Sequence, residues 1–234
     1  MSSEYKNKYI DAVFLEESGQ RFLCTVLLAG REVECYVSSS SKISQYLDLR
    51  NQNILLSINK GKNLRTMYTL EALKTKGQEY VYLNFNKSNQ MFEKHLIAQG
   101  VSEQQIHREK TINGSVKVDF YLDGQGCFEV KSLLSSTCEV DFPDSSSKRL
   151  YFQISEYIKL LTSGIKVTFV FIAMSPTLIN FRWNTVRNDV KELFVKAVKL
   201  GMITQAYSVE FINGEFKLRE NLKLQEQIIQ SYFN

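Results

Sequence analysis

Asp119, Glu129 and Lys131 stand in one stretch, Lys117 to Lys131, whose pattern brings three charged groups together. Val118, Phe120 and Leu122 alternate with Lys117, Asp119 and Tyr121. Phe128 and Val130 alternate with Cys127, Glu129 and Lys131. The stretch therefore reads as two strands around Asp123-Gly-Gln-Gly126. The apolar faces of the two strands must fall on the same side, which fixes the parity of the register. A loop of Gly124, Gln125 and Gly126 sets Phe120 opposite Val130, Asp119 opposite Lys131 and Glu129 opposite Tyr121. Cross-strand neighbours sit about 5 Å apart at Cβ, so two carboxylates and an ammonium converge on one face. Carboxylates at this range suit a hard divalent cation such as Mg2+ or Mn2+, and the carbonyl of Val130 adds an oxygen donor. Such a metal activates water and stabilises charge on phosphate oxygens, with the lysine beside it. The alternative is an edge hairpin with one solvated ion pair.

Asp119, Glu129 and Lys131 resemble the signature of the PD-(D/E)XK nuclease superfamily. The resemblance implies Asp119, Glu129 and Lys131 as catalytic residues, with Glu93 matching an acidic residue on the first helix. The helix that follows carries Arg149, Gln153 and Tyr157 at i, i+4, i+8, so they share a face. Its Gln153-x-x-x-Tyr157 resembles the RecB-like branch, in which this helix positions DNA; all three are expected to contact nucleic acid.

The elements that hold these residues fall into two regions. Residues 1–77 read as all-β, with strand-like runs at Ala12–Leu15, Arg21–Leu28, Glu32–Val37, Asn53–Ile58 and Arg65–Leu73. Five short strands suit a small closed barrel of the OB type. Lys60, Lys62 and Arg65, near a hairpin, are its best candidates for phosphate contact. The polar Lys74-Thr-Lys-Gly-Gln78 suggests a boundary, giving a barrel domain over 1–77 and a nuclease-like domain over 78–234. In the second region a helix runs from Ser88 to Gly100, with Met91, Phe92, His95 and Leu96 as its stripe. Ile106 and His107 lie in a polar connector. After the hairpin, Cys138–Asp141 reads as a short strand. A helix over about 147–162 has Leu150, Ile154, Ile158 and Leu161 inward, and Lys166–Ala173 is a buried strand. A helix over about 187–200, a strand from Ile203 to Ile212 and an Asn213-Gly214 turn complete a mixed sheet flanked by helices. Taking Cys138–Asp141 as the third strand gives the α-β-β-β-α-β core of the superfamily.

Net charge is +4 over 234 residues, and 44 % are apolar. This permits a polyanionic partner without requiring one. Four unclustered cysteines and two histidines argue against structural zinc. No leader-like or membrane-length apolar run is present, so the expected setting is the cytoplasm, with no membrane partner.

Arg21-Phe-Leu, Arg65 to Glu71, Asn84, Val118-Asp-Phe, Glu129-Val-Lys-Ser132, Phe142-Pro-Asp144, Arg149 and Glu156 fall in the order and spacing of the sugar fermentation stimulation protein A family, which the chain resembles as a diverged member. The resemblance implies an OB-like barrel followed by a nuclease-like domain, DNA as partner, a proposed nuclease activity and a regulatory role in sugar metabolism. Two departures stand out. Ser38–Ser41 replaces a Pro-Asn-Thr-Gly-like loop, and Arg149-Leu-Tyr-Phe-Gln153 lacks the lysine and histidine common at that position. Two functions stay open: a Mg2+- or Mn2+-dependent nuclease, and a non-catalytic DNA-binding regulator. Oligomeric state stays open.

Overall fold

The computed structural model describes residues 8–38, 43–61, 64–77, 79–143 and 148–233. In the first part β1 (Ile10–Glu17), β2 (Leu23–Leu28), β3 (Arg31–Tyr36), β4 (Asn53–Ile58) and β5 (Tyr68–Lys74) form a sheet of order β3-β2-β1-β4-β5 that closes on itself. β2 and β4 flank β1, β5 pairs β4, and a parallel Tyr36–Thr69 pairing joins β3 to β5. The closed five-strand barrel expected from the alternating pattern is present. Its interior is aliphatic, built on Val26, Ile54, Leu56 and Leu70, all fully buried. β6 (Tyr80–Tyr82) extends β5 in the same sheet, and the Tyr82 N–H donates to the Met174 carbonyl of the second part.

The second part follows as α1 (Ser88–Ala98), β7 (Ile106–Arg108), a small hairpin of β8 (Thr111–Ile112) and β9 (Val116–Lys117), β10 (Phe120–Leu122) and β11 (Gly126–Leu133). Then come β12 (Glu139–Phe142), α2 (Lys148–Thr162), β13 (Val167–Ala173), β14 (Asn180–Trp183), α3 (Asn188–Lys199), β15 (Ile203–Ile212), β16 (Glu215–Glu220) and α4 (Leu222–Gln230). The central sheet runs β16-β15-β13-β11-β10-β7, parallel from β11 to β15 and antiparallel outside. β13 is buried throughout and alternates strictly. Phe169, Phe171 and Ala173 pack with residues of α2 and α3, and Val170 and Ile172 pack with α1 and the barrel residues Leu55, Ala72 and Tyr82. A strand buried on both faces is why this run reads as continuously apolar.

Two expected assignments are corrected. The third strand of the sheet is β7, in the stretch read as a connector. Cys138–Asp141 does contain a strand, β12, but it pairs with β14 in a separate two-stranded sheet. In α2 the inward stripe is Leu150, Ile154, Tyr157 and Leu160, with Ile158 and Leu161 only partly buried.

Four consecutive residues tie the barrel to the sheet. The Asn86 amide donates to Tyr36 Oη of β3 at 3.0 Å, and Lys87 Nζ donates to Glu71 Oε1 of β5 at 2.5 Å. Ser88 bonds Ser132 of β11 at 2.8 Å, and Asn89 reaches Asp119. Glu71 is fully buried and also accepts from Ser57, Tyr82 and Asn84. A buried carboxylate satisfied this completely holds its place by its donors. The start of α1 is thus fixed to both parts at once.

Candidate metal and nucleic-acid site

The hairpin expected at the centre forms with its faces as predicted and its register shifted by two residues. Phe120 lies opposite Phe128, not Val130, and Leu122 opposite Gly126, so the loop is Asp123, Gly124 and Gln125. A shift of two preserves parity, which is why Glu129 and Lys131 still share a face. Gly126 fixes the choice. Its φ is +101°, and a Cβ there would stand 2.4 Å from the Lys166 carbonyl oxygen, so only glycine starts β11 at this place. The first strand is also interrupted. Val118 N–H turns to the Lys110 carbonyl, and the Asp119 carbonyl accepts from Glu109 N–H, which puts Asp119 in a bend between β9 and β10.

That bend frees the edge of β11 beyond Phe128. Asp119 caps it: the Val130 N–H donates to Oδ2 at 2.8 Å, and the Asn89 amide donates to Oδ1 at 3.1 Å. Along a strand the N–H and C=O of one residue point to the same edge. The Val130 carbonyl therefore points out past the end of β10, beside Asp119.

Glu129 lies on the face of β11 covered by α2 and is only 3 % exposed. Lys131 Nζ donates to its Oε1 and Tyr157 Oη to its Oε2, both at 2.5 Å. Gln153, one turn before Tyr157 on α2, lines the cavity beside Lys131. Burial pushes the Glu129 carboxyl above the usual carboxylate range, and the nearby Asp119 charge adds to this. Lys131 and the Tyr157 hydroxyl pull it back in part. The Tyr157 phenol is pushed up by burial and by Glu129, so it stays a donor.

The sign of the pH dependence follows. A carboxyl whose pKa is higher folded than unfolded adds stability at acid pH, where both forms are protonated, and that stability is lost as pH rises through the raised value. Glu129→Gln should therefore raise the melting temperature of metal-free protein at about pH 8 and change it much less near about pH 5. Melts in chelator across that range test this; a variant less stable than wild type at the upper end would show that Lys131 and Tyr157 fully compensate the buried charge.

Beside Lys131 opens a cavity of about 240 Å³, lined by Lys131, Ser132, Asp141, Arg149 and Gln153 over an apolar floor that includes Val140, Phe142 and Leu150. Arg149 and Gln153, expected on one face of the helix, do share it. Tyr157 is the correction: it is fully buried against Glu129, and its ring has no surface to offer nucleic acid. Glu93 does not join the two carboxylates by any contact seen here; the Arg108 guanidinium of β7 holds both its oxygens. Among the described residues no group of three His, Cys, Asp or Glu converges as a metal cluster. His95 packs edge-on to Tyr207 and burial lowers its pKa, a core-edge role. In the barrel, Lys60 is exposed and Arg65 bonds Gln20 and approaches Glu34; Lys62 lies outside the described residues. Asn89, on the first turn of α1, is a site residue that the sequence pattern does not single out: its helical spacing says nothing of Asp119 opposite it.

The donor set fits a hard divalent cation. Two carboxylates and a strand-edge carbonyl are oxygen ligands of the kind Mg2+, Mn2+ and Ca2+ take. No helix of the described residues is long and apolar enough to cross a membrane.

A family model described as the sugar fermentation stimulation protein RE domain matches residues 86–215. Among solved structures the chain is similar to SfsA of Pyrococcus furiosus in complex with Ca2+. The TM-score is 0.75 at 21 % identity, over 94 % of this chain and 96 % of that one. That likeness speaks for the fold across both parts. No curated protein matches the chain.

Proposed function

This chain belongs to the sugar fermentation stimulation protein family, and from that premise we propose that it binds DNA and hydrolyses its backbone with Mg2+ or Mn2+ held by Asp119, Glu129 and the Val130 carbonyl. The observation that carries this reading is Glu129. Glu129 is buried with a lysine and a tyrosine turned to it, as Glu71 is, and in addition the nearby Asp119 charge opposes its ionisation, a cost that a divalent cation held by both carboxylates would offset. The Ca2+ complex of the archaeal structure supports a divalent site in this fold. When bound, the metal would supply a Lewis acid and an activated water. Asn89 and the Val130 N–H would keep Asp119 oriented; Tyr157 would keep Glu129 oriented. Lys131 would stand at the mouth of the cavity, where it neutralises charge on the scissile phosphate. Arg149 and Gln153 on the cavity wall, and Lys60 and Arg65 on the barrel, would contact flanking phosphates.

The second reading is a DNA-binding regulator of sugar metabolism without turnover. The observation favouring it is that Glu93 is engaged by Arg108, leaving two carboxylates. A cleavage assay on single- and double-stranded DNA and RNA, with and without each metal, separates the two. The nuclease reading expects metal-dependent cutting that Asp119→Asn abolishes, with a matching loss of Mn2+ binding heat in calorimetry. Asp119→Asn that binds metal like wild type would remove Asp119 from the ligand set. DNA binding that weakens with salt, with no cutting under any condition, would leave the regulator.

A further inference from the structure

We infer that Phe22 and Tyr36 form a stacking platform for unpaired bases, so that the partner of the barrel is single-stranded nucleic acid led toward Asp119 and Lys131. This rests on the nucleic-acid reading above and names the form of the substrate. Phe22 precedes β2 with φ of +66°, a left-handed conformation that non-glycine residues adopt rarely and at a cost. In that conformation its ring does not enter the barrel; it is 40 % exposed. It lies nearly parallel to the half-buried Tyr36 ring of β3, at 17° with centroids 6.1 Å apart. Arg65 reaches the same corner through Gln20, two residues before Phe22, and approaches Glu34 of β3. A cation at the same corner as a partly exposed aromatic pair is the composition that single strands select: phosphates take the charge and bases take the rings. A duplex keeps its base faces stacked inside and has none to offer.

The platform also points somewhere. Tyr36 Oη accepts from Asn86, and Asn86 stands three residues before Asn89, which holds Asp119. Between them Ser88 bonds Ser132, the neighbour of Lys131. Asn86 and Asn89, three residues apart, thus touch Tyr36 and Asp119 respectively. A strand lying on Phe22 and Tyr36 would pass Asn86 on its way toward Asn89 and Asp119.

The test uses the whole protein in chelator, so that binding is read without cutting. The probes are an oligothymidylate of about twelve nucleotides, the matching oligouridylate and a duplex of the same length. Phe22→Leu keeps an apolar side chain and removes the ring; it should weaken single-strand binding about tenfold and leave duplex binding unchanged. Phe22→Trp should keep the affinity, and its added emission over that of Trp183 should be quenched by the oligonucleotide. Equal single-strand affinity for Phe22→Leu and wild type, or no quenching of the Phe22→Trp emission at saturation, would overturn the inference. Should Phe22→Leu fail to fold, the Phe22→Trp emission alone decides. Failure of the nuclease reading is separate: quenching without any metal-dependent cleavage keeps the platform and removes the enzyme, and cleavage without quenching does the reverse. DNA and RNA arms that differ assign the sugar; arms that match assign a platform that ignores it, and both keep the inference.

Discussion

Replacing Lys131 by methionine should lower metal-dependent cleavage about a hundredfold or more, with little change in nucleic-acid affinity. Removing a positioned group that neutralises charge in the transition state typically costs about 3 kcal/mol or more. Lys131 is placed for that work. Its ammonium bonds Glu129 at 2.5 Å, its side chain keeps 29 % exposure, and it opens on the cavity with Arg149 and Gln153. Methionine keeps the aliphatic stem, so the local packing stays. In the proposed function phosphate contacts elsewhere would keep the substrate bound, so the effect would fall on turnover. One confounding route has to be separated. Lys131 also favours the ionised form of Glu129, so its loss raises that carboxyl further and weakens metal binding. If this were its whole role, higher pH and more Mn2+ would restore the rate. A deficit that persists at saturating metal across the pH profile assigns Lys131 to the phosphate. A variant that cuts at the wild-type rate removes it from the chemistry.

How much of this site can be read from the chain depends on whether a choice is local. The alternation on either side of Asp123–Gly126 is local, and it predicts which side chains of β10 and β11 share a face; Asp119, in the bend before β10, falls outside that pattern. Loop length is not local here. Gly124–Gly126 and Asp123–Gln125 both satisfy parity, and the decision lies in the approach of Lys166 to Gly126, forty positions on in the sequence. β7 is three residues long, Ile-His-Arg, too short and polar to show a period; it is a strand because β10 offers it an edge. β12 is legible as a strand, but its partner β14 is remote, so its sheet is not. Periodicity alone turns Ile158 inward and gives Tyr157 to the surface. Burying a tyrosine needs a partner for its hydroxyl, and that partner, Glu129, belongs to another element. The barrel was legible strand by strand because each of its pairings but one joins neighbours in sequence or is fixed by closure. The same limit applies to Asn89: its helix face is readable, but what stands opposite that face is not.

Tyr157→Phe isolates this non-local contact and should weaken Mn2+ binding by about ten- to a hundredfold, the usual cost of losing a group that orients a metal ligand. The substitution leaves the ring in a core position that is fully buried and removes one oxygen. Glu129 then keeps Lys131 on Oε1 and loses the Tyr157 donor on Oε2. A hydrogen bond to a charged acceptor contributes about 1.5–3 kcal/mol, so the metal-free protein should also melt at lower temperature when Glu129 is ionised. The direction with pH is fixed. A carboxylate that loses a donor protonates more readily, so the pH at which Mn2+ binding sets in should rise. A purely structural role for Tyr157 would lower the melting temperature and leave that onset in place. Calorimetric Mn2+ titrations of wild type and Tyr157→Phe at several pH values distinguish the two. Equal affinity and equal onset would show that Tyr157 serves the packing of α2 on the sheet and does not position Glu129.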